Sequence, residues 1–160
     1  EIFYQDLSDV AYAVNNELCK DNVEERFITC WIGKLNTKTG ELSYVNAGHD
    51  QPLIRQNDGG FEYMNTRPGL VLAGMEDTTY KKHTIQLKPN DMLFLYTDGV
   101  TEANDNYKEF YGKENLLKTL NKNKDNDLSA IIKSIETDVN EFCNNKEQFD
   151  DITMFIIKME

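Results

Sequence analysis

The order of secondary-structure signals predicts an α+β fold. A helix comes first, then a run of mostly antiparallel strands, two helices and one returning strand, an order in which helices pack on sheets. Two runs, "MLFLYT" (92–97) and "ITMFIIKM" (152–159), are almost continuously apolar, as expected of central strands covered on both faces. The chain has 160 residues, 39% hydrophobic and 11% aromatic, enough for one core and too apolar for disorder.

Each element has its own signal. Phe3, Leu7, Val10, Ala11, Val14 and Leu18 recur at intervals of three and four and draw one apolar stripe on an opening helix, which ends at "KDNVEER". "FITCWIGKLN" (27–36) and "ELSYVNA" (41–47) are rich in β-formers and flank "TKTG", predicting a hairpin. "QPLIRQ" and "FEYM" flank "NDGG" and predict a second, because Asn, Asp and Gly reach positive φ cheaply. "RPGLVLAGM" (67–75) reads as an ordered loop. "TYKKHTIQLK" (79–88) alternates, with His83 toward solvent, and "PND" turns the chain into the run at 92–97. Two helical stretches follow "DGVTEANDNYKEFYG". In the second, Leu128, Ile131, Ile132, Ile135, Val139 and Phe142 form the strongest helical stripe in the chain. Between them "NKNKDND" (121–127) is too short to separate domains, so residues 1–160 are expected to form a single domain.

Charge narrows the function. Seventeen basic against twenty-eight acidic residues give a net charge of −11, a field that repels nucleic acid and anionic lipid and suits a metal ion or a cationic partner. Cys19, Cys30 and Cys143 are odd in number, widely spaced and without a C-x-x-C, a pattern of reduced thiols in a cytoplasmic protein. No apolar run approaches the roughly 18 residues that span a bilayer. "EIFYQDL" lacks both a signal-peptide start and an initiator Met, so the chain reads as cut from something longer.

Two acid pairs stand at the ends of the two most apolar runs: Asp98 with Glu102 after 92–97, and Asp150 with Asp151 before 152–159. A buried carboxylate is costly unless it is paired or holds a metal, and hard ions such as Mg²⁺ or Mn²⁺ take carboxylate and water oxygens. If the two strands are neighbours, Asp98 and Asp150 lie side by side. Asp-Gly is also a common turn, and Asp-Asp before a strand also serves as a solvated guard against aggregation. Two histidines, His49 and His83, give a His-rich metal site or a Ser-His-Asp triad little to draw on. "YTDGVT" fails the Asp-x-Asp-Gly-Thr signature of haloacid dehalogenase-like phosphatases, because Tyr96 stands where a nucleophilic Asp is needed.

"FITCWIGKLNTKTGELSYVNAGHDQPLI", "LKPNDMLFLYTDGVTEANDNYKEFYGKENL" and "FDDITMFIIK", in this order, resemble the bacterial SpoIIE/RsbU branch of the PPM (protein phosphatase 2C-like) serine/threonine phosphatases. The resemblance covers nearly the whole chain. It implies an αββα sandwich of antiparallel sheets flanked by helices, with metal ions at one end of the sheets and hydrolysis of phosphoserine or phosphothreonine by a metal-bound water. It implies that Asp98 and Asp150 are metal ligands, that Glu102 falls where some relatives hold a third ion, and that Asp151 supports the site. It assigns His49 no catalytic role.

The chain departs from the family pattern in three places. It lacks the N-terminal G-D-x-x-G-x-G motif, whose Asp bridges two metals, so the resemblance implies an N-terminally incomplete domain, its C-terminal portion, inactive by itself. Asn90 replaces the Gly of P-G-D, and "GLVLAGM" stands for G-x-x-L-G. The implied setting is two Mn²⁺ or Mg²⁺ ions in the complete domain, an upstream sensor or regulatory domain, and a phosphorylated regulatory protein of the anti-sigma-factor-antagonist type as substrate. No nucleic acid and no direct membrane contact are expected. The alternative is a non-catalytic, protein-binding regulatory module on the same fold.

Overall fold

The computed structural model describes residues 6–20, 22–104, 109–144 and 150–160. In chain order its elements are α1 (Leu7–Cys19), β1 (Cys30–Leu35), β2 (Glu41–Ala47), β3 (Leu53–Arg55), β4 (Phe61–Tyr63), β5 (His83–Gln86), β6 (Met92–Tyr96), α2 (Asp98–Thr101), α3 (Gly112–Asn123), α4 (Leu128–Phe142) and β7 (Met154–Lys158). They form two antiparallel sheets with helices, the α+β class read from the sequence. The chain divides into two compact units, residues 1–49 with 66–87 and residues 50–65 with 88–160.

In the first unit the sheet runs β1-β2-β5. The first hairpin pairs Cys30 with Ala47 through to Leu35 with Leu42. The Asn36 carboxamide oxygen holds its turn, accepting the N–H groups of Lys38 and Thr39 at 3.0 and 3.2 Å. One face of the sheet carries Val45 and Ala47, which pack with Ala11 of α1 and with Leu72 and Tyr80. The expected stripe on α1 is only partly buried. Val14 faces water, the fully buried position is the polar Asn15, and Phe3 lies outside the described residues.

Asn15 explains why "RPGLVLAGM" is ordered. Its carboxamide oxygen accepts the Ala73 N–H and the Tyr80 hydroxyl, both at 3.0 Å, and its amide donates to the Met75 carbonyl at 2.9 Å. The loop so held contains Ala73 at φ 61°, a left-handed conformation that costs a non-glycine residue about 1–2 kcal/mol. A buried amide therefore satisfies backbone groups that no sheet or helix reaches.

His83 corrects the expectation of a solvent-facing side chain. It is half-buried and stacks on Tyr44 at 5.3 Å, and Tyr44 stacks on Trp31 at 5.2 Å, so three rings cross β1, β2 and β5. Gly33 makes room, since a Cβ there would fall 2.5 Å from the Trp31 ring.

In the second unit the sheet runs β4-β3-β6-β7. The second hairpin pairs Leu53 with Tyr63 through to Arg55 with Phe61. β6 is a buried interior strand, as its apolar run predicts, next to the short interior strand β3; Phe94 packs with Leu116 and Leu120 of α3 and with Ile131, Ile135 and Val139 of α4. The expectation that the run 152–159 is central and covered on both faces is wrong. β7 pairs with β6 only, at the edge of the sheet among the described residues, and Phe155 is 56% exposed. Its Met154 and Ile156 face the core, so one face of the strand carries the burial.

Two buried charged side chains fasten this unit. Asp91 accepts the N–H groups of Lys88 and Asn57 at 2.8 and 3.0 Å. Arg55 donates to the carbonyls of Gly59 and Lys124 and to the Asp125 carboxylate, joining the second hairpin to the end of α3. Asn90 sits at φ 73°, which accounts for the departure from P-G-D: the position needs a left-handed residue, and Asn tolerates this better than other non-glycine residues.

Two outcomes follow in denaturant and acid titrations. Asn15→Ala, which leaves the Ala73 N–H, the Met75 carbonyl and the buried Tyr80 hydroxyl without their shared partner, lowers unfolding free energy by about 1–2 kcal/mol, whereas Ala73→Gly raises it by about 0.5–1 kcal/mol. Asp6 caps α1 through Ser8 and pairs with Lys82; the Lys82 bond first, then those from Ser8, hold its carboxyl down at about 2. A depressed folded pKa gives stability present above the ordinary 3.8 and lost as pH falls toward 2. The advantage of the native chain over Asp6→Asn is therefore constant above about pH 5 and shrinks through that window.

Candidate metal centre

β6 and β7 are antiparallel, and their register pairs Tyr96 with Met154, the last residue of one with the first of the other. The chain leaving β6 and the chain entering β7 therefore occupy the same end of one sheet. Thr97 ties them beyond the ladder. Its N–H donates to the Thr153 carbonyl at 3.0 Å, its hydroxyl donates to the Asp151 carbonyl at 3.0 Å, and the same oxygen accepts the Thr153 N–H at 2.9 Å.

Gly99 brings the acid-bearing segments closer still. A Cβ built on Gly99 would lie 2.5 Å from the Asp151 carbonyl oxygen and 3.4 Å from that of Asp150. Asp98-Gly99 does not form the common Asp-Gly turn. Instead the chain enters one helical turn, α2, with Asp98 as its first residue and the Glu102 N–H donating to the Asp98 carbonyl at 2.7 Å. Glycine is required here for close backbone approach. The helical turn also puts Glu102 four residues after Asp98, hence on the same side of it.

The expected burial of the acids is corrected as well. Asp98, Glu102, Asp150 and Asp151 are all exposed. One Asp98 oxygen accepts the Gly99 N–H at 3.0 Å, and one Asp150 oxygen accepts the Asp151 N–H at 2.7 Å. Each bond fixes one carboxylate oxygen to the N–H of the residue that follows. Among the described residues no three His, Cys, Asp or Glu side chains converge tightly enough to hold an ion by themselves. The oxygen-only donor set fits Mg²⁺ or Mn²⁺ in kind, with waters or further ligands completing the shell.

Tyr96 is buried, and burial pushes its phenol well above the usual range; Tyr63 is likewise raised, to about 12. Both stay protonated near neutral pH. In the first unit, the His49 backbone is held in a turn. Asn46 clamps its backbone on both sides, accepting the His49 N–H at 2.8 Å and donating to its carbonyl at 3.0 Å, while the ring contacts the Thr29 hydroxyl at 3.3 Å. Between them Gly48 lies at φ 75° with its Cβ position 2.4 Å from Val71. "NAGH" is thus a self-closed turn. Neither Asn46, three residues before His49, nor Thr97, next to Asp98, carries a sequence signal of its own.

Gly99→Ala must push apart the two acid-bearing segments or tilt α2. Its unfolding free energy is expected to fall by about 1–3 kcal/mol in urea titration, although Ala is the better helix former. An unchanged midpoint would show that the contact yields without cost.

The chain is similar to known proteins over most of its length. It is 34% identical over 134 residues to Protein IcfG of Synechocystis, covering 82% of this chain and 20% of that protein. It is 26% identical over 145 residues to the phosphoserine phosphatase RsbU of Bacillus subtilis, covering 89% and 42%. The chain thus spans less than half the length of these two relatives. Its fold matches the PP2C phosphatase domain of SpoIIE from Bacillus subtilis, solved with a fragment of its regulatory domain, with a TM-score of 0.79 at 16% identity over 96% of this chain and 45% of that one. It also matches the RsbU and RsbW domains of Rv1364c from Mycobacterium tuberculosis, with a TM-score of 0.73 at 21% identity over 96% and 42%. Further matches are a Mn-presoaked SpoIIE phosphatase domain, with a TM-score of 0.69, 15% identity and 97% and 67% coverage, and RsbX in complex with magnesium, with 0.64, 17%, and 95% and 64%. The family model of stage II sporulation protein E matches residues 4–160, and the chain belongs to this SpoIIE family.

Proposed function

We propose that residues 1–160 are the C-terminal portion of one metal-dependent protein phosphatase domain, which hydrolyses phosphoserine or phosphothreonine on a regulatory protein. The observation that carries this reading is the close approach of Gly99 to the Asp150-Asp151 backbone, because it draws two acid-bearing segments of a phosphatase-family chain to one sheet end. Asp98 and Asp150 would hold a divalent ion, with Glu102 a further ligand on the same side. When bound, Mn²⁺ or Mg²⁺ supplies an activated water at neutral pH and offsets phosphoryl charge.

The chain's own residues prepare that chemistry. Asp98, Glu102, Asp150 and Asp151 make this end of the sheet strongly negative, and a phosphomonoester dianion would be repelled until cations reverse the sign. The Gly99 and Asp151 N–H groups orient one carboxylate each, so no side chain has to search for its position when a cation arrives. Neither acid serves as a nucleophile in this reading, and the protonated Tyr96 does not either. The similarity to the phosphoserine phosphatase RsbU supports a phosphoserine substrate; the regulator is proposed to be of the anti-sigma-factor-antagonist type, with a regulatory domain in the same protein. No described helix is long and apolar enough to cross a membrane; we place the domain in the cytoplasm, without nucleic acid or membrane partners.

The full-length protein carrying Asp98→Asn is expected to lose on the order of 100-fold or more in Mn²⁺-dependent hydrolysis of a phosphoserine protein. Because Asp98 is exposed, its metal-free melting should match the native protein to within about 0.5 kcal/mol. Equal turnover would remove Asp98 from the mechanism. A full-length native protein inert with both Mn²⁺ and Mg²⁺ would favour the protein-binding module instead.

A further inference from the structure

The first unit carries a groove of about 550 Å³ formed by the end of α1, residues 22–27 and the loop at 71–76. Its apolar lining includes Phe27 and Met75, 63% and 62% exposed, and the carboxylates of Glu25 and Glu76 border it. The basic groups nearby are already engaged, Lys20 by Glu17 and Arg26 by Glu24. Glu25 and Glu76 are in no ion pair among the described residues, so the border is net negative.

The groove is also built rather than incidental. Fully buried Asn15 spends its bonds on Ala73 and Met75, and Asn22 adds a bond from its amide to the Arg26 carbonyl at 2.7 Å. Ala73 at φ 61° and Glu25 at φ 51° are both held left-handed, one on each wall. Folding alone would hide Met75 and Phe27, whereas here a polar network fixes the loop that displays them. Fixed loops with exposed apolar side chains bind without a large ordering cost.

We propose that this groove docks a protein segment that is apolar and basic: a large hydrophobic side chain seats between Phe27 and Met75, and flanking Lys or Arg side chains pair with Glu25 and Glu76. Charge selects this occupant. A second copy of the chain, itself at −11, would bring like charge to an acidic border, and an acidic segment would do the same. The proposal does not depend on the phosphatase reading, since it involves none of the acids at the β6–β7 end.

The test uses the full-length protein and a short fluorescein-labelled peptide of Leu, Phe and Lys, with a counterpart carrying Glu in place of Lys. Anisotropy should report binding of the cationic peptide only, weakened by salt, at least about tenfold weaker in the double variant Glu25→Lys/Glu76→Lys, and weakened also in Met75→Ser. The control Glu62→Lys/Glu114→Lys makes the same charge change in the second unit and should bind as the native protein does. Cys19 lines the groove, so its alkylation by iodoacetamide, mapped by mass spectrometry, should slow when the cationic peptide is bound. Equal losses in groove and control variants would reduce the effect to net charge and overturn the proposal. Binding that leaves Cys19 alkylation unchanged, or equal binding of the acidic peptide, would overturn it too. Cys19 protected without peptide would show the groove already filled, by a second copy if protection rises with concentration and by another part of the same protein if it does not.

Discussion

The acid cluster depends on one contact between backbones: Gly99 lying against the Asp151 carbonyl, at a distance no side chain could share. Antiparallel pairing of β6 and β7 brings the two segments to the same sheet end, but pairing alone leaves them a strand spacing apart. Thr97 closes that gap with three bonds, and the missing Cβ of Gly99 lets α2 settle on the entering chain. The Asp98 and Asp150 carboxylates are exposed and still held, because each accepts the N–H of the residue that follows it. Rigid backbone, not burial, organises the site.

The same economy recurs in both units. Asn15, Asn46, Asp91 and Arg55 are buried polar side chains whose partners are mainly backbone groups of loops. A loop that leaves the ladders has N–H and C=O groups to satisfy, and one well-placed amide or carboxylate does this for several residues at once. That is what allows Ala73 and Asn90 to stay left-handed: the strain is local, while the bonds that impose it are shared with elements far away in sequence.

Electrostatics divides the surface between two kinds of partner. At the β6–β7 end, the proposed site rests on exposed acids carried to one sheet end, oxygen donors of the kind a small, hard cation takes. At the groove of the first unit, acids border an apolar floor and suit a larger cation presented on a hydrophobic segment. The net charge of −11 has the sign that both proposed partners require.

The sequence by itself determined a good deal. Period and turn chemistry placed both hairpins, the interior strand β6 and the stripe on α4, and the three motif blocks pointed to the SpoIIE family. These features are local: alternation, a 3.6-residue repeat and Asn-Asp-Gly-Gly are legible in a few consecutive residues. Tertiary structure alone decided the rest. β7 is as apolar as β6 yet sits at the edge, because which strand receives a second neighbour is a property of the sheet and not of the strand. Val14 faces water while Asn15 is buried, because the loop at 71–77 needed a hydrogen-bonding side chain at that point. Asp-Gly, read as a turn, is a helix start pressed against a distant carbonyl, and only the partner segment, unknowable from the dipeptide, makes that glycine necessary.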